Sequence, residues 1–222
     1  MKWFYQPDEI EVGIDEVARG CLLGRVYTGA VIWPYDESLL DSSGNMVECP
    51  ITRDSKQYTR DQRKELYQYI HDHALEVQYS YCEADEIDKI NILQATYRSM
   101  HKSLDQFKTQ MDRILVDGDR FKAYTKKDKS GDEEWIPYVC FPKGDTKYLP
   151  ISAASIVAKV EHDLYIERLC QEHPELDERY DLLSNMGYGS QRHRDGIAKY
   201  GVCQFHRVSF GCCRDRTLSP VL

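Results

Sequence analysis

Four acidic residues lie where a buried carboxylate would have a chemical purpose. Asp15 and Glu16 interrupt an apolar segment, Asp117 ends the run Ile-Leu-Val-Asp, and Asp145 follows Phe-Pro-Lys-Gly. An ionised carboxylate is costly to bury unless it is paired or binds a cation. Taken singly, each acid is equally typical of a turn or a cap, as in Asp117-Gly118. Taken together at strand ends, they predict one oxygen-rich site for Mg²⁺ or Mn²⁺. Two such ions about 4 Å apart support hydrolysis of a phosphodiester.

The elements that must position these acids are predicted from periodicity and from turn residues. Segments rich in β-branched and apolar residues predict strands over 11–17, 26–33, 75–82, 113–116 and 135–141. Capping residues and apolar residues at three- and four-residue spacing predict helices over 59–73, 93–107, 151–171 and 190–200. The polar segments 34–52 and 125–134 are predicted loops.

This alternation of strands and helices predicts an α/β layered fold with a mixed β-sheet flanked by helices. The last residues, from about 180 to 222, have no strand signal and are predicted to form a small C-terminal helical appendage. No linker separates them from the rest, so residues 1–222 are expected to form a single domain.

The charge is unusual for a protein that would bind phosphate. The formal net charge is -8, and sequence-independent affinity for nucleic acid comes mainly from Lys and Arg. Acids that bind a metal cease to repel phosphate, however. Positive charge is concentrated in the lysine-rich segment 122–129 and near the C-terminus, at Arg192, Arg194, Lys199, Arg207, Arg214 and Arg216. By itself such a run is typical of a solvated face; our hypothesis is that Arg192, Arg194 and Lys199 contact phosphate.

Membrane insertion, secretion and zinc binding are not expected. No apolar run approaches the roughly 20 residues of a membrane span, and the N-terminus does not resemble a secretory signal. The eight cysteines form no Cys-x-x-Cys pair, and Cys203 with His206 has no partner pair to complete a zinc site. We therefore expect reduced thiols and a cytoplasmic or nuclear protein.

Motifs along nearly the whole chain resemble one family. The segment Gly-Ile-Asp-Glu-Val-Ala-Arg-Gly at residues 13–20 resembles G-x-D-E-x-G-R-G, the opening motif of the ribonuclease HII family. Further segments resemble that family in the same order: Asp54–Lys56, Asn91–Thr96, Val116–Gly118, Lys143–Asp145, Ala153–Val160, Gly187–Gly189 and His206–Phe210. The resemblance covers roughly residues 13–210.

The resemblance implies a ribonuclease-H-like fold and hydrolysis assisted by two divalent metal ions, Mg²⁺ or Mn²⁺. It places the catalytic, metal-binding carboxylates on Asp15, Glu16, Asp117 and Asp145. It implies cleavage of RNA in RNA/DNA hybrids and at ribonucleotides embedded in duplex DNA, leaving 3′-hydroxyl and 5′-phosphate ends. Such an enzyme serves ribonucleotide excision in DNA replication and repair. The expected partner is nucleic acid, without a membrane, and the expected state is a monomer.

The resemblance also implies how the ribose is recognised. The 2′-hydroxyl would meet the backbone of Ala18, Arg19 and Gly20 and the side chain of Tyr188. A 2′-hydroxyl both donates and accepts hydrogen bonds, so backbone amides can distinguish RNA from DNA. Tyr188 could alternatively be a packed aromatic residue, as most tyrosines are.

Phosphate contacts are expected at two further places. The family motif indicates that Lys143 neutralises a bound phosphate. Asp54, Ser55 and Lys56 precede a predicted helix, whose free amides would hold a phosphate. An ordinary surface turn is the alternative for this second segment. Asp163, in the helix after Asp145, is expected to form a structural salt bridge.

Three positions depart from the family pattern. Ala18 replaces the first glycine of the turn and would be strained there if the backbone φ is positive. Arg25 replaces a proline that bacterial members usually have, and His162 replaces an arginine before Asp163. None of these changes removes a candidate catalytic carboxylate.

Two other functions compete with this interpretation. A nuclease of the same fold that acts on DNA junctions would not need a ribose sensor, so Tyr188 and the turn at 18–20 favour the ribonuclease. A non-catalytic nucleic-acid-binding module would gain affinity by losing the four carboxylates, and all four are present.

Overall fold

The structure is a computed structural model that describes residues 1–35, 41, 42, 47, 49–127 and 131–218. Its strands, in chain order, are β1 Glu11–Val17, β2 Val26–Ile32, β3 Glu76–Cys82, β4 Arg113–Asp117, β5 Tyr124–Lys127, β6 Glu133–Ile136 and β7 Tyr138–Phe141. Five of them form the central sheet in the order β3-β2-β1-β4-β7, and β5 pairs with β6 in a separate two-stranded sheet. β2 pairs antiparallel with both of its neighbours, β1 and β3, whereas β1, β4 and β7 run parallel. The predicted mixed sheet is thus confirmed.

Helices cover both faces of this sheet. They are α1 Arg60–His73, α2 Ala84–Ile90, α3 Ile92–Leu104, α4 Leu149–Glu172, α5 Pro174–Tyr180, α6 Leu182–Asn185 and α7 Gln191–Tyr200. Short 3-10 turns lie at Ser55–Gln57, Gly144–Thr146 and Gly211–Cys213. Even the 24-residue α4 lacks the sustained apolar stretch of a bilayer-spanning helix, and no other helix in the described part of the chain has one.

Residue alternation along β1 decides which side chains face which helix layer. Val12 and Ile14 belong to the hydrophobic core that Met100 and Leu104 of α3 complete on one face of the sheet. Successive side chains of a strand point to opposite faces, so Gly13 and Asp15 face the other layer, which is α4. This alternation places the Asp15 carboxylate beside α4.

Glycines let α4 lie unusually close to the sheet. A Cβ atom at Gly13 would stand 2.1 Å from the carbonyl carbon of Pro150, and one at Gly29 would stand 2.2 Å from the Ala154 carbonyl oxygen. No side chain fits at such distances. The close approach brings the residues of α4 that follow Ala154 to the strand end where Asp15 lies.

Most predicted elements are confirmed, including the capping box that begins α1. The Thr59 hydroxyl accepts from Gln62 N at 3.2 Å, and Gln62 Oε1 accepts from Thr59 N at 3.0 Å. Two predictions were wrong. The single strand predicted over 135–141 is divided at Pro137, which has no N–H to donate. Parts of the loop predicted over 125–134 are strand, because β5 and β6 pair across it.

Other differences concern helices and the limits of the described chain. α2 was not predicted; Asn91, with φ 67°, separates it from α3 and caps α3 through its side chain. Phe107 is buried as expected but lies beyond the end of α3. Parts of the predicted loop 34–52, and residues 128–130 of the lysine-rich segment, lie outside the described residues.

The predicted C-terminal helical part begins at Pro174 instead of about residue 180. Leu176, Tyr180 and Ile197 of this part share one core with Ile166 of α4 and with Leu23. Isolated β-bridges join Cys21 to Tyr188 and Leu23 to His206. The C-terminal helices are therefore packed directly against the loop that follows β1.

Candidate active site

A cavity of about 470 Å³ opens where β1 and β4 end. We call it the acidic cavity. Its lining consists of Asp15, Glu16, Val17, Ser55, Lys56, Asp117, Asp145, Ser155, Lys159 and Tyr188. All four predicted carboxylates are brought together there, with Tyr188, Ser55 and Lys56 of the other candidates.

Parallel pairing is the reason that the carboxylates meet. Ile14 of β1 is in register with Val116 of β4, so the residues that follow them, Asp15 and Asp117, lie at the same level of two adjacent parallel strands. Asp117 is in turn in register with Phe141, the last residue of β7. Asp145 lies in the 3-10 turn that follows β7. Three neighbouring strands, β1, β4 and β7, therefore bring the acids together at one edge of the sheet.

Backbone amides hold the Asp117 carboxylate against the turn that contains Asp145. Asp117 Oδ1 accepts from Gly144 N at 2.6 Å and, more weakly, from Asp145 N at 3.5 Å. Glycine leaves room in this turn, because a Cβ at position 144 would stand 2.7 Å from Cδ1 of Ile151 and that side chain would have to shift. The preceding Lys143 is left-handed, with φ 56°. This turn fixes the spacing between two of the carboxylates.

Asp15 is held by its neighbours in β1 and α4. Its side chain is 5% exposed and accepts from Glu16 N at 2.7 Å. The hydroxyl of Ser155, on α4, also hydrogen-bonds to Asp15. Ser155 Oγ lies 2.9 Å from Ser55 Oγ, so the 3-10 turn at 55–57 is linked to Asp15 through one serine.

The acids destabilise one another when they are all ionised. Burial raises the pKa of Asp15 well above its ordinary value, and the charges of Glu16 and Asp117 raise it further. Burial likewise raises the pKa of Asp117 and of Asp145, although Lys56 opposes both shifts. A bound cation would relieve this repulsion.

The donor set fits a hard divalent cation. The lining of the acidic cavity supplies carboxylate and hydroxyl oxygens and contains neither Cys nor His, and oxygen ligands are those that Mg²⁺ and Mn²⁺ prefer. Within the described residues, no three His, Cys, Asp or Glu side chains already converge as a metal site would require.

Tyr188 lines the acidic cavity and lies beside the turn at 18–20. Its side chain is 39% exposed, unlike the core tyrosines. Burial of its hydroxyl raises the pKa of Tyr188 to about 12, and the backbone amide of Ala18 partly offsets this rise. A Cβ at Gly20 would lie 4.0 Å from the Tyr188 ring. The ring therefore lies against the turn, although Ala18, Arg19 and Gly20 are not among the residues that line the acidic cavity.

The turn itself has the strained backbone that its sequence suggested. Ala18 has φ 68° and is buried. Cys21 N donates to the Ala18 carbonyl at 3.2 Å and closes the turn. Across the described residues, the amides of Arg19 and Gly20 donate to no protein acceptor. These two amides are available to a ligand.

The two candidate phosphate contacts differ in their position relative to the acidic cavity. Lys143 is exposed and outside the cavity lining. Asp54 Oδ1 accepts from Lys56 N at 2.8 Å, and Gln57 N donates to the Asp54 carbonyl at 2.9 Å. The amides of Lys56 and Gln57 are therefore bonded within this segment, which is a capped turn ahead of α1. Of this segment, the side chains of Ser55 and Lys56 reach the cavity.

One face of α4 contributes residues that sequence reasoning did not assign. Ser155 and Lys159 line the cavity, and Lys159 Nζ lies 2.6 Å from Asp163 Oδ1. Asp163 also pairs with Arg63 at 3.6 Å and with buried His162 at 3.3 Å, which confirms the expected structural salt bridge. The four-residue spacing of 155, 159 and 163 is the signal that could have revealed this face.

Arg207 differs most from its expected place. It was expected in a basic surface region, but it is fully buried. Its guanidinium donates to the carbonyls of Gly24 at 2.9 Å, Arg19 at 3.0 Å and Arg25 at 2.9 Å. It therefore serves the loop after β1 and is not free to bind phosphate.

Known proteins resemble this chain over nearly its full length. The family model described as Ribonuclease HII matches residues 12–213. A ribonuclease HII of Bacteroides thetaiotaomicron is 38% identical over 97% of this chain and 96% of the relative. One of Bacteroides fragilis is 41% identical over 94% of this chain and 92% of the relative.

Solved structures show the same fold. The ribonuclease H2 of Pyrococcus horikoshii is 25% identical, with a TM-score of 0.68, over 91% of this chain and 94% of that one. A ribonuclease HIII crystallised with Mn²⁺ has a TM-score of 0.57 and 18% identity, over 92% of this chain and 68% of that one. The family model and the two Bacteroides relatives each extend over most of the chain, and the chain belongs to the ribonuclease HII family.

Proposed function

We propose that this endoribonuclease cuts the RNA strand of RNA/DNA hybrids and cuts at ribonucleotides embedded in duplex DNA. The observation that carries the proposal is the acidic cavity, in which four carboxylates and Tyr188 line one opening. Membership of the ribonuclease HII family supports the same activity. The products would be a 3′-hydroxyl and a 5′-phosphate.

Asp15, Glu16, Asp117 and Asp145 would hold the divalent metal ions. Bound there, Mg²⁺ or Mn²⁺ would supply activation of the attacking water and neutralisation of charge on the phosphate. Asp117 and Asp145 are kept together by the amides at 144 and 145. Asp15 is anchored through Ser155. The protein therefore holds Asp117 and Asp15 by two separate elements, the turn at 144–146 and α4, before any substrate binds.

Lysines on the wall of the cavity would bind the scissile phosphate. Lys56 acts on the pKa of both Asp117 and Asp145, so it lies close to the reacting centre. Lys159 lines the same wall and is held by its ion pair with Asp163. These two cations would balance part of the phosphate charge.

The ribose would be recognised where Tyr188 lies beside the turn at 18–20. The unpaired amides of Arg19 and Gly20 would meet the 2′-hydroxyl, which accepts hydrogen bonds. The Tyr188 ring, half-exposed, would pack on the sugar. Deoxyribose offers no such hydroxyl, so an all-DNA duplex would be cut poorly.

A ribonucleotide duplex tests the proposal. The protein is incubated with Mg²⁺ or Mn²⁺ and a DNA duplex containing a single ribonucleotide, beside the same duplex without it. We expect cleavage next to the ribonucleotide only, and none with EDTA. Cleavage of both duplexes at equal rates would indicate a DNA nuclease, and binding without cleavage would indicate a binding module.

Tyr188→Ala tests ribose recognition separately. We expect a small change in melting temperature and a large loss of cleavage at the single ribonucleotide, with a smaller loss on long hybrids. Tyr180→Ala is the control, because Tyr180 is fully buried and its truncation should cost roughly 3–5 kcal/mol of stability. A Tyr188→Ala protein as destabilised as this control, with an unchanged rate per folded molecule, would refute the role of Tyr188.

We also propose that the enzyme acts as a cytoplasmic monomer. The eight cysteines are free thiols, as a reducing compartment favours. Sedimentation of the protein as a dimer at the concentrations of the cleavage assay would contradict the monomer.

A further inference from the structure

The consecutive residues His206 and Arg207 contact both sides of the proposed ribose site. Arg207 donates to the carbonyl of Arg19 at 3.0 Å, within the turn, and to those of Gly24 and Arg25 just beyond it. No carboxylate within the described residues forms an ion pair with it. A fully buried guanidinium bonded to three carbonyls fixes the course of the loop that carries the turn.

His206 is linked to Tyr188 by a chain of hydrogen bonds through His193. Cys203 N donates to His206 Nδ1 at 2.9 Å, so that nitrogen is the acceptor and His206 carries its proton on Nε2. His206 Nε2 lies 3.1 Å from His193 Nε2 and donates to it. His193 consequently carries its proton on Nδ1, which lies 3.0 Å from the Tyr188 carbonyl oxygen. One assignment of tautomers satisfies every bond in the chain.

Burial keeps the two rings neutral. It lowers the pKa of His206 to about 3 and lowers the pKa of His193 below its ordinary value. Both rings also pack against the ring of buried Tyr180, at 5.7 Å between centroids for His193 and 4.7 Å for His206. Neither imidazole is placed to exchange protons with a substrate.

Backbone pairing joins the two sides directly. Arg207 N donates to the Leu22 carbonyl, and Leu22 N donates to the Gly187 carbonyl, both at 2.8 Å. Gly24 N donates to the Phe205 carbonyl at 2.8 Å. The loop after β1 is thus hydrogen-bonded on one side to the segment that contains His206 and on the other side to the segment that contains Tyr188.

We propose that His193, His206 and Arg207 are positioning residues that set the distance between Tyr188 and the turn at 18–20. They do so without touching the substrate: Arg207 holds the turn, and the two histidines hold the Tyr188 backbone. The inference rests on the proposed function of Tyr188 and of the turn in recognising ribose. Asp117 is held by the turn that contains Asp145, and Asp15 by Ser155 of α4, so metal binding by these acids should not depend on the three positioning residues.

Two substitutions of His193 test its two hydrogen bonds one at a time, the bond to the Tyr188 carbonyl and the bond to His206. In His193→Asn the side-chain amide nitrogen takes the place of Nδ1 and still donates to the Tyr188 carbonyl, but the shorter side chain no longer reaches His206. In His193→Gln the side chain reaches His206 and can accept from it, but no donor faces Tyr188. Both variants remove the same buried ring, so their stabilities should fall by similar amounts.

The readout is kcat/KM for a duplex with a single ribonucleotide divided by kcat/KM for a long RNA/DNA hybrid. We expect His193→Asn to keep this ratio near that of the parent protein and His193→Gln to lower it about tenfold, the size of effect that removal of one orienting bond produces. The metal-induced rise in melting temperature should remain in both. Equal ratios in the two variants would overturn the proposal.

Tautomer measurement keeps the proposal testable if either variant fails to fold. In the parent protein, long-range ¹H–¹⁵N NMR spectra should show His206 protonated on Nε2 and His193 protonated on Nδ1. The reverse tautomers, or a charged ring at pH 7, would overturn the proposal. If the parent protein cuts an all-DNA duplex as well as the duplex with a ribonucleotide, the proposed function itself is wrong. That result differs from equal kcat/KM ratios in the two His193 variants, which would contradict only the positioning role.

Discussion

Ala18 has a backbone conformation that glycine adopts more readily, in the turn that faces Tyr188. Its φ of 68° costs an alanine roughly 1–2 kcal/mol, and the buried methyl group offsets part of that cost. We expect Ala18→Gly to leave the free energy of unfolding unchanged or to raise it by up to about 1 kcal/mol.

Urea denaturation measures this effect, and Ala158→Gly is the matched control. Ala158 is equally buried but lies in the middle of α4, where glycine should cost about 1 kcal/mol or more. An Ala18→Gly protein destabilised as much as this control would show that the turn carries no strain.

Asp15 illustrates how a metal site opposes the stability of the metal-free protein. Its folded pKa is raised, so its contribution to stability is present below its unfolded pKa of about 4 and is lost as the pH rises. At pH 7, Asp15→Asn should therefore raise the melting temperature of the metal-free protein. It should also remove most of the rise in melting temperature that Mn²⁺ produces in the parent protein.

Asp163→Asn is the opposing control for that measurement. Burial tends to raise the pKa of Asp163, but His162 and Lys159 together hold it below its usual value. Its stabilising effect is therefore present above the unfolded pKa and lost as the pH falls. Asp163→Asn should lower the melting temperature at pH 7. Equal effects of the two substitutions would contradict the electrostatic account of the acidic cavity.

At the scale of elements, the sheet and the acids were largely predictable, because apolar runs and strand-end carboxylates are local signals. β1, β2, β3 and β4 were predicted from segments rich in β-branched and apolar residues, a property that each segment shows by itself. What could not be predicted depends on interactions between distant segments. In the sequence, Arg207 is indistinguishable from the exposed cations around it, because its burial depends on the loop after β1 folding around its guanidinium.

Helix α3 shows why periodicity alone is an incomplete guide to burial. The predicted stripe relied on large apolar residues, yet Ser99 and Ser103 are also fully buried. Their hydroxyls meet Thr28 of β2 at 2.8 Å and 3.3 Å. A polar contact between a helix and a strand satisfies these groups, and no spacing rule reveals it in advance.

Helix α7 is the element on which the phosphate hypothesis rests. Arg192, Arg194 and Lys199 are all exposed, and Arg194 donates to the Gly189 carbonyl beside Tyr188. Removing one phosphate-binding cation should reduce the slope of log affinity against log salt by about 0.9. Neutralising all three should therefore flatten the slope clearly.

Binding to a hybrid is measured at several salt concentrations, with Lys89→Ala as the control. Lys89 is exposed on α2 and pairs with Asp85. An unchanged slope in the triple variant, as in this control, would show that α7 is a solvated face.

For the whole molecule, we propose a single domain that unfolds as one unit. The C-terminal helices share a core with α4 and with Leu23, and Trp3 lies in the core at the other end of α4. Trp3 fluorescence and the reactivity of buried Cys213 should therefore change over the same denaturant range. Earlier exposure of Cys213 would identify the C-terminal part as a separate domain.

The net charge of -8 is partly explained by the carboxylates of the proposed metal site. Part of the negative charge is gathered in the acidic cavity, where cations would neutralise it. The positive charges of Lys56 and Lys159 line the same cavity. A protein with an unfavourable total charge can thus bind nucleic acid where its local charge is reversed by metal.

Single-turnover cleavage by Asp117→Asn tests the central claim most directly. Asparagine at 117 can still accept from Gly144 N, so the fold should survive while the metal-binding charge is removed. The control is Asp119→Asn, two residues further on, with a side chain that is 78% exposed. The account predicts that cleavage at a single ribonucleotide falls by orders of magnitude in Asp117→Asn and is unchanged in Asp119→Asn. Near-normal cleavage by a folded Asp117→Asn protein would contradict it.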